Sequence, residues 1–415
     1  MDIPGLPARR AALAMLDAVL RRGETLDQAQ ARAIRNLSDP ADRALARAIA
    51  SEVLRWKVDL DALIDSATRR NLPEDAKPRV VLALMLASWL RLATPPHAVI
   101  ATGLPLLAGG PRRLAHGVFS TLVKRAVSLP AAPTLPDAVR ERWGERAGAI
   151  ASGLAEPPPL DIALRDPGET ALWAERLGGV SLLPGHVRLS RGTPIEDLPG
   201  FGEGAWWVQD LAASLPARLL GAGEGRRVLD LCAAPGGKTL QLSAAGWHVT
   251  ALDASDKRLD LLRANLARTG LAAEVVCADA LEWEPDGPFD AILLDAPCSA
   301  TGTCRRHPDV LHRIGARQFA EMADLQQRLI ARSRPWIAPG GRFVYAVCSL
   351  EREEGEEVIA QAGLTPEPIP ADLLPEGIVP APEGWLRTDP GMLTHAGGLD
   401  GFFISLLVEN SGDSP

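Results

Sequence analysis

The 415-residue chain reads as multidomain: an all-α N-terminal domain followed by an α/β domain on a mostly parallel sheet. Three observations predict this. Apolar residues in the first 127 positions recur at helical spacing. A proline-rich stretch then breaks the pattern. From about residue 205, short apolar runs alternate with helix-like segments, the order that builds a parallel sheet covered by helices on both faces.

In the N-terminal part, Leu13, Leu16 and Leu20 lie on one helical face, as do Leu60, Leu63 and Ile64. Gly23, Pro73, Pro95-Pro96 and Gly109-Gly110-Pro111 divide the region into several helices. The domain is placed at residues 1–130. Residues 131–204 are expected to be a Pro-rich linker with one short helix near Trp143, then a small α/β connector. There Leu160, Ile162 and Leu164 alternate as a strand, Ala171–Leu177 forms a helix, and Val187 and Leu189 mark a second strand. Residues 205–415 form the α/β domain. Its expected strands are Arg227–Leu231, His248–Leu252, Glu274–Cys277, Ala291–Leu294 and Arg342–Val347, and its expected helices Thr239–Ala245, Lys257–Thr269 and Gln318–Ile330. Ligands of such sheets bind at the C-terminal ends of the strands.

Composition narrows the setting. Hydrophobic residues make up 47%, enough for real cores. The longest apolar run, Val80 to Leu90, is bounded by Arg79 and Arg91 and falls short of the roughly 20 residues a membrane span needs. There is no signal-peptide pattern. The five cysteines show no metal-binding or disulfide spacing, so no metal is expected and a reducing cytoplasm is the simplest compartment. The net charge is −8, but residues 1–133 hold 19 Lys and Arg against 12 Asp and Glu. A basic N-terminal domain joined to an acidic remainder suggests a polyanion partner for the first.

The chemistry concentrates in the second domain. In Val228-Leu-Asp-Leu-Cys232-Ala233-Ala234-Pro235-Gly236-Gly237-Lys238-Thr239 a buried strand runs into a glycine turn that opens a helix. Such a turn lets a ligand approach backbone and helix N-terminus closely. A phosphate-binding loop of the G-x-x-x-x-G-K-[ST] type would need glycine at Cys232, and the dinucleotide pattern G-x-G-x-x-G is absent. A nucleoside-sized ligand without pyrophosphate remains, such as S-adenosylmethionine. Asp253 ends the next strand, where a carboxylate can accept from both ribose hydroxyls. Asp279 follows the third strand, in position for an adenine amino group, and Asp295 follows the fourth. Lys238 is one of only five lysines beside 39 arginines, which suggests a point charge or proton donor. Cys298, in Asp295-Ala-Pro297-Cys298-Ser, and Cys348, in Val347-Cys348-Ser, each sit just past a strand. Two thiols at one base suit C5 methylation of a pyrimidine, which needs a nucleophile at C6 and then a base for the C5 proton. Arg305 and Arg306 are expected to pair with phosphates. Cys277 fits a buried strand position, and Cys304 is incidental.

Residues 200–350 resemble the NOL1/NOP2/Sun family of RNA cytosine-5 methyltransferases, through Asp230-Leu-Cys-Ala-Ala-Pro-Gly-Gly-Lys-Thr239, Asp295-Ala-Pro-Cys298-Ser and Cys348-Ser. Gly204-Ala-Trp-Trp-Val-Gln-Asp210 and Asp400-Gly-Phe-Phe403 resemble the family's flanking segments. The helical part resembles the NusB-like RNA-binding domain of the bacterial Sun/RsmB subgroup, which methylates 16S ribosomal RNA. The resemblance implies a Rossmann-like class I methyltransferase domain, S-adenosylmethionine as cofactor and ribosomal RNA as partner. It also implies that Cys348 attacks C6, Cys298 removes the C5 proton, and Asp295 meets the polar edge of the base and touches the cofactor. The family commonly has Thr where this chain has Val347. Ionisation of Cys348 is expected to draw on a helix starting at Ser349, against Glu351, Glu353 and Glu354. A flipped base in single-stranded or loop RNA suits this chemistry. The alternatives are a transfer-RNA methyltransferase, a DNA cytosine-5 methyltransferase, and a non-catalytic ribosome-assembly factor.

Overall fold

A computed structural model describes residues 3–190 and 194–409. The chain divides into two compact units, residues 1–157 with 304–314, and residues 158–303 with 315–415.

The first unit is helical. Its helices are Leu6–Arg22, Leu26–Ala33, Pro40–Arg55, Lys57–Ser66, Lys77–Leu90, Pro96–Gly103, Gly109–Lys124, Asp137–Trp143 and Ala147–Gly153. Their ends follow from local chemistry. Gly23 closes the first helix with a positive φ of 67°. Thr25 and Gln28 form a reciprocal capping box on the second. Asp39 caps the third, whose first residue is Pro40. The apolar run at Val80–Leu90 is the central helix, buried from Val81 to Ala87. It packs beside Met15, Leu16, Ile49, Val53 and Phe119, which is why it is apolar on every face.

The boundaries differ from the expected ones. Residues 131–157 carry two short helices rather than a free linker, because Val139, Trp143, Ala147, Ile150 and Leu154 are buried. Thr134 donates backbone N–H and hydroxyl to Asp59 at 2.8 and 2.6 Å. The segment 304–314 also belongs to this unit. Leu26 N–H donates to Asp309 Oδ2 at 3.2 Å, Arg55 donates to the Arg305 carbonyl at 2.8 Å, and His312 Nε2 meets the Leu54 carbonyl at 2.7 Å.

The second unit holds two sheets. The expected connector is a small antiparallel sheet of β1 (Leu160–Leu164), β2 (His186–Leu189) and β3 (Trp206–Val208), ordered β2-β1-β3, with helix Thr170–Leu177. Arg188 grips buried Asp161 bidentately at 2.7 and 2.8 Å, and the same carboxylate accepts from Leu211 N–H.

The large sheet contains β4 (Arg227–Leu231), β5 (His248–Asp253), β6 (Glu274–Cys277), β7 (Phe289–Asp295), β8 (Ile337–Val347), β9 (Thr365–Glu367), β10 (Trp385–Thr388) and β11 (Phe402–Val408). Its order is β10-β11-β8-β7-β4-β5-β6, with β9 also pairing with β11. From β6 to β8 all pairings are parallel; β11 and β10 add antiparallel. Alternate residues of β4, β7 and β8 enter two different cores. Leu229, Leu231, Ile292, Leu294, Phe343 and Tyr345 face one, and Val228, Ala291, Leu293, Val344 and Ala346 the other. Burial on both faces explains the unbroken apolar runs. The antiparallel strands after residue 360 lie outside the expected set.

Candidate active site

The sheet order sets the candidate residues side by side. Asp279 follows β6, Asp253 ends β5, the glycine turn follows β4, Asp295 ends β7, and Cys348 follows β8. The turn is tightly formed: Cys232 has a φ of 60°, Ala234-Pro235 is cis, and Gly236 has a φ of 108°. A side chain at Gly236 would meet Leu262 Cδ1 at 2.3 Å, so only glycine lets the turn lie against helix Asp256–Thr269. Helix Gly237–Ala244 starts directly after it. Below the turn, Thr239 Oγ1 donates to Asp230 Oδ2 at 2.5 Å, pinning that helix to β4.

Asp253 is buried. It accepts from Ala234 N–H at 3.2 Å and Ser255 N–H at 2.9 Å, and Arg258 lies 3.3 Å away. It thus ties the glycine turn to the end of β5. Asp279 is exposed and caps the next turn through Leu281 N–H at 2.9 Å. Burial, followed by the charges of Asp253, Asp295 and Asp230, pushes the Cys232 thiol up to about 12, so it stays protonated and unreactive. The donor set fits a nucleoside cofactor: a glycine turn opening a helix, flanked by a carboxylate at the end of the neighbouring strand.

The other half of the site is a pair of thiols. Cys298 Sγ and Cys348 Sγ lie 3.4 Å apart, both partly buried and neither in a disulfide. The strand ends are knitted together, since Ala296 N–H donates to the Ala346 carbonyl at 2.9 Å and Gly302 N–H to the Cys348 carbonyl at 3.0 Å. Cys298 is held well above the ordinary thiol range, first by its hydrogen bond with Cys348, then by burial and the charges of Cys348 and Glu354. It therefore keeps its proton and can donate it toward Cys348 Sγ. Lys238 Nζ lies 2.7 Å from Asp295 Oδ2 and 5.2 Å from the Phe402 ring centroid, linking the glycine turn to the strand that leads into Cys298.

Several expectations change. Arg305 is only 1% exposed, so its guanidinium is not presented to a phosphate in solution; Arg306 is partly buried. No helix starts at Ser349; the next one is Glu356–Ile359, so a helix dipole does not act on Cys348. Cys277 is exposed rather than buried, because β6 is the edge strand. Val347 is buried opposite Phe403, which gives this position an apolar packing role. Glu354, expected as an opposing charge, instead accepts hydrogen bonds from Ser299, Ser349 and Gln326, and of these Gln326 lies outside the expected motifs. Among the described residues there is no group of three or more metal-ligating side chains, and no helix long and apolar enough to cross a membrane.

A glycine turn after the first parallel strand, an acid at the end of the second and a thiol beyond each of the fourth and fifth match a Rossmann-like methyltransferase. Comparison with known proteins agrees. Residues 217–408 match the family described as 16S rRNA methyltransferase RsmB/F, and residues 6–106 match the NusB family. Ribosomal RNA small subunit methyltransferase B of Xanthomonas campestris is 34% identical over 380 residues, covering 86% of this chain and 87% of its own. Its Klebsiella pneumoniae namesake is 32% identical over 437 residues, covering 97% and 98%. A solved methyltransferase homolog from Pyrococcus horikoshii, 26% identical, superposes with a TM-score of 0.56 over 70% of this chain and 98% of its own. The chain belongs to the RsmB/F family of RNA methyltransferases.

Proposed function

We propose that this protein methylates C5 of a cytosine in 16S ribosomal RNA, with S-adenosylmethionine as methyl donor and a covalent link between enzyme and base. The observation that carries the reading is the 3.4 Å contact between Cys298 and Cys348, at strand ends that also flank the glycine turn. One base can reach both thiols only if they are adjacent. The names of the relatives support ribosomal RNA as substrate.

In this reading Cys232 to Gly237 and Lys238 line the cofactor, Asp253 holds its ribose and Asp279 its adenine. The cofactor supplies an electrophilic methyl group. Cys348 Sγ bonds to C6, which makes C5 nucleophilic; C5 takes the methyl. Once Cys348 is bound to C6 it no longer shares the Cys298 proton, which passes to water; the Cys298 thiolate then accepts the C5 proton, the C5–H electron pair restores the ring double bond, the bond from Cys348 to C6 breaks, and its electron pair returns to Cys348. Asp295, oriented by Lys238, meets the polar edge of the base. Before attack, the Cys298 proton can support a thiolate at Cys348 by a charge-assisted hydrogen bond. Arg306 remains a candidate for an RNA phosphate.

The test is bisulfite sequencing of small-subunit RNA from cells with and without the gene. One cytosine should lose its methyl mark when the gene is absent. In vitro, Cys348→Ala should abolish transfer, whereas Cys298→Ala should accumulate protein–RNA adduct. An adduct formed by Cys348→Ala instead would falsify the assignment of roles.

A further inference from the structure

The two residues that follow the two cysteines meet on one buried carboxylate. Glu354 is fully buried. Ser299, next to Cys298, donates its backbone N–H to Glu354 Oε1 at 2.8 Å and its hydroxyl to Oε2. Ser349, next to Cys348, donates its hydroxyl to Oε2 at 2.5 Å. Gln326 Nε2 donates to Oε1 at 3.2 Å and to the Pro297 carbonyl at 2.8 Å. Glu354 is fixed in turn, because the Tyr345 hydroxyl donates to its carbonyl at 2.6 Å. The chain on both sides of Cys298, and the residue after Cys348, therefore lead to the same side chain.

A buried carboxylate is costly unless donors satisfy it, and removing it strands those donors. Burial raises the Glu354 carboxyl above its ordinary range, against the hydrogen bonds of the serines and Gln326. Apolar residues could fill this space without that cost. What they could not do is connect two loops through directional bonds from the residue next to each thiol-bearing residue.

We propose that Glu354 is the positioning residue of the thiol pair: through Ser299 and Ser349 it locks the segments after β7 and β8 together and so keeps Cys298 and Cys348 in contact. The inference rests on the reading that both thiols serve one base, yet it concerns the resting protein and can be tested without RNA.

Phenylarsine oxide is the probe. It condenses with two adjacent thiols to a cyclic dithioarsenite, forming two As–S bonds and releasing one water, with no oxidant required. The full-length wild type should bind one equivalent at this pair, lost in Cys348→Ala. Glu354→Ala should bind about tenfold more weakly or worse, since the second thiol is no longer held near the first. Glu354→Gln, of equal size and able to accept from Ser299, should recover most of the affinity. With RNA and cofactor, Glu354→Ala should lose transfer on the order of 10²-fold, as misplacement of a reacting group does, while adduct rises and cofactor affinity stays within about twofold. Generalised damage would lower cofactor binding without raising adduct. If Glu354→Ala does not fold, the double variant Ser299→Ala and Ser349→Ala carries the same expectations. Arsenical binding by these variants as tight as wild type overturns the proposal. Glu354-dependent arsenical binding, with no RNA adduct from Cys298→Ala, would keep the positioning role and remove the reaction assigned above.

Discussion

Lys238 Nζ and Asp295 Oδ2 are 2.7 Å apart, joining the first turn of helix Gly237–Ala244 to the end of β7. The ammonium is 8% exposed and the carboxylate 32%. This pair joins the glycine turn to the strand that leads into the thiol pair, so its loss should affect both halves of the site.

Lys238→Met should leave Asp295 without its cation and destabilise the protein by about 1–3 kcal/mol, the exposed side of Asp295 regaining some water. Transfer should fall by more than cofactor affinity does. Lys238→Arg should not restore activity, because a planar fork replaces a compact charge against Phe402. Urea denaturation and single-turnover assays check this; full activity in the arginine variant would refute it.

Asp230 gives a pH signature. Burial is the first cause pushing its carboxyl up to about 7, opposed by the hydrogen bond from Thr239. Between about pH 4 and pH 7 the folded chain holds a proton that the unfolded chain has released. This group's contribution is therefore fully present below about pH 4 and is lost as pH rises through 7, by up to roughly 4 kcal/mol. Asp230→Asn removes the titration, so its stability relative to wild type should improve from pH 4 to pH 8. A stability difference that stays constant across that range would count against the raised value.

His312 should act with the opposite slope. Burial pushes its imidazole down to about 4, against the Leu54 carbonyl. Its contribution is present above about pH 6.5 and lost as pH falls through 4, at a cost on the order of 3 kcal/mol. Acid melts of wild type and His312→Asn should diverge in that window, the variant showing the shallower loss. Parallel curves would exclude a buried neutral imidazole.

Gly302 is a steric keystone for the Cys298 loop. A Cβ there would lie 2.0 Å from the Gly401 carbonyl oxygen, a backbone atom that cannot swing aside. Gly302→Ala should cost at least about 1–3 kcal/mol through overpacking and disturb the Gly302 N–H bond to the Cys348 carbonyl. Thermal melting with an adduct assay tests it; wild-type values in both would show that the loop has more room than its geometry implies.

Arg305 and Arg306 should separate cleanly. Arg305→Met should lower stability, because its side chain is buried, without changing the salt dependence of RNA binding. Arg306→Ala should reduce the salt slope by about one if it meets a phosphate. Filter binding across salt concentrations distinguishes the two, and a reduced slope in the Arg305 variant would reverse the assignment.

Much of this protein is legible from local patterns. Strands Arg227–Leu231 and Glu274–Cys277 and the helix opened by Gly237 follow from apolar runs and a glycine turn. The order of Asp253, Asp279, Asp295, Cys298 and Cys348 along the chain implies a shared sheet edge once the strands are parallel. The strands after residue 360 were not legible, because β10 and β11 take their places by pairing antiparallel with distant partners. The fate of 304–314 was equally hidden, since an Arg-Arg-His stretch looks solvated until Arg55 is found bonded to Arg305 and Leu26 to nearby Asp309.

The sequence alone determined which chemistry is available: residue types, their spacing after each strand, and the glycine that the turn requires. Only the tertiary structure decided which groups meet. Two cysteines 50 residues apart come within 3.4 Å, and a glutamate among several others turns inward to bind the serines beside them. Local pattern reports what each segment prefers, whereas contact between segments depends on the register and packing of the whole sheet.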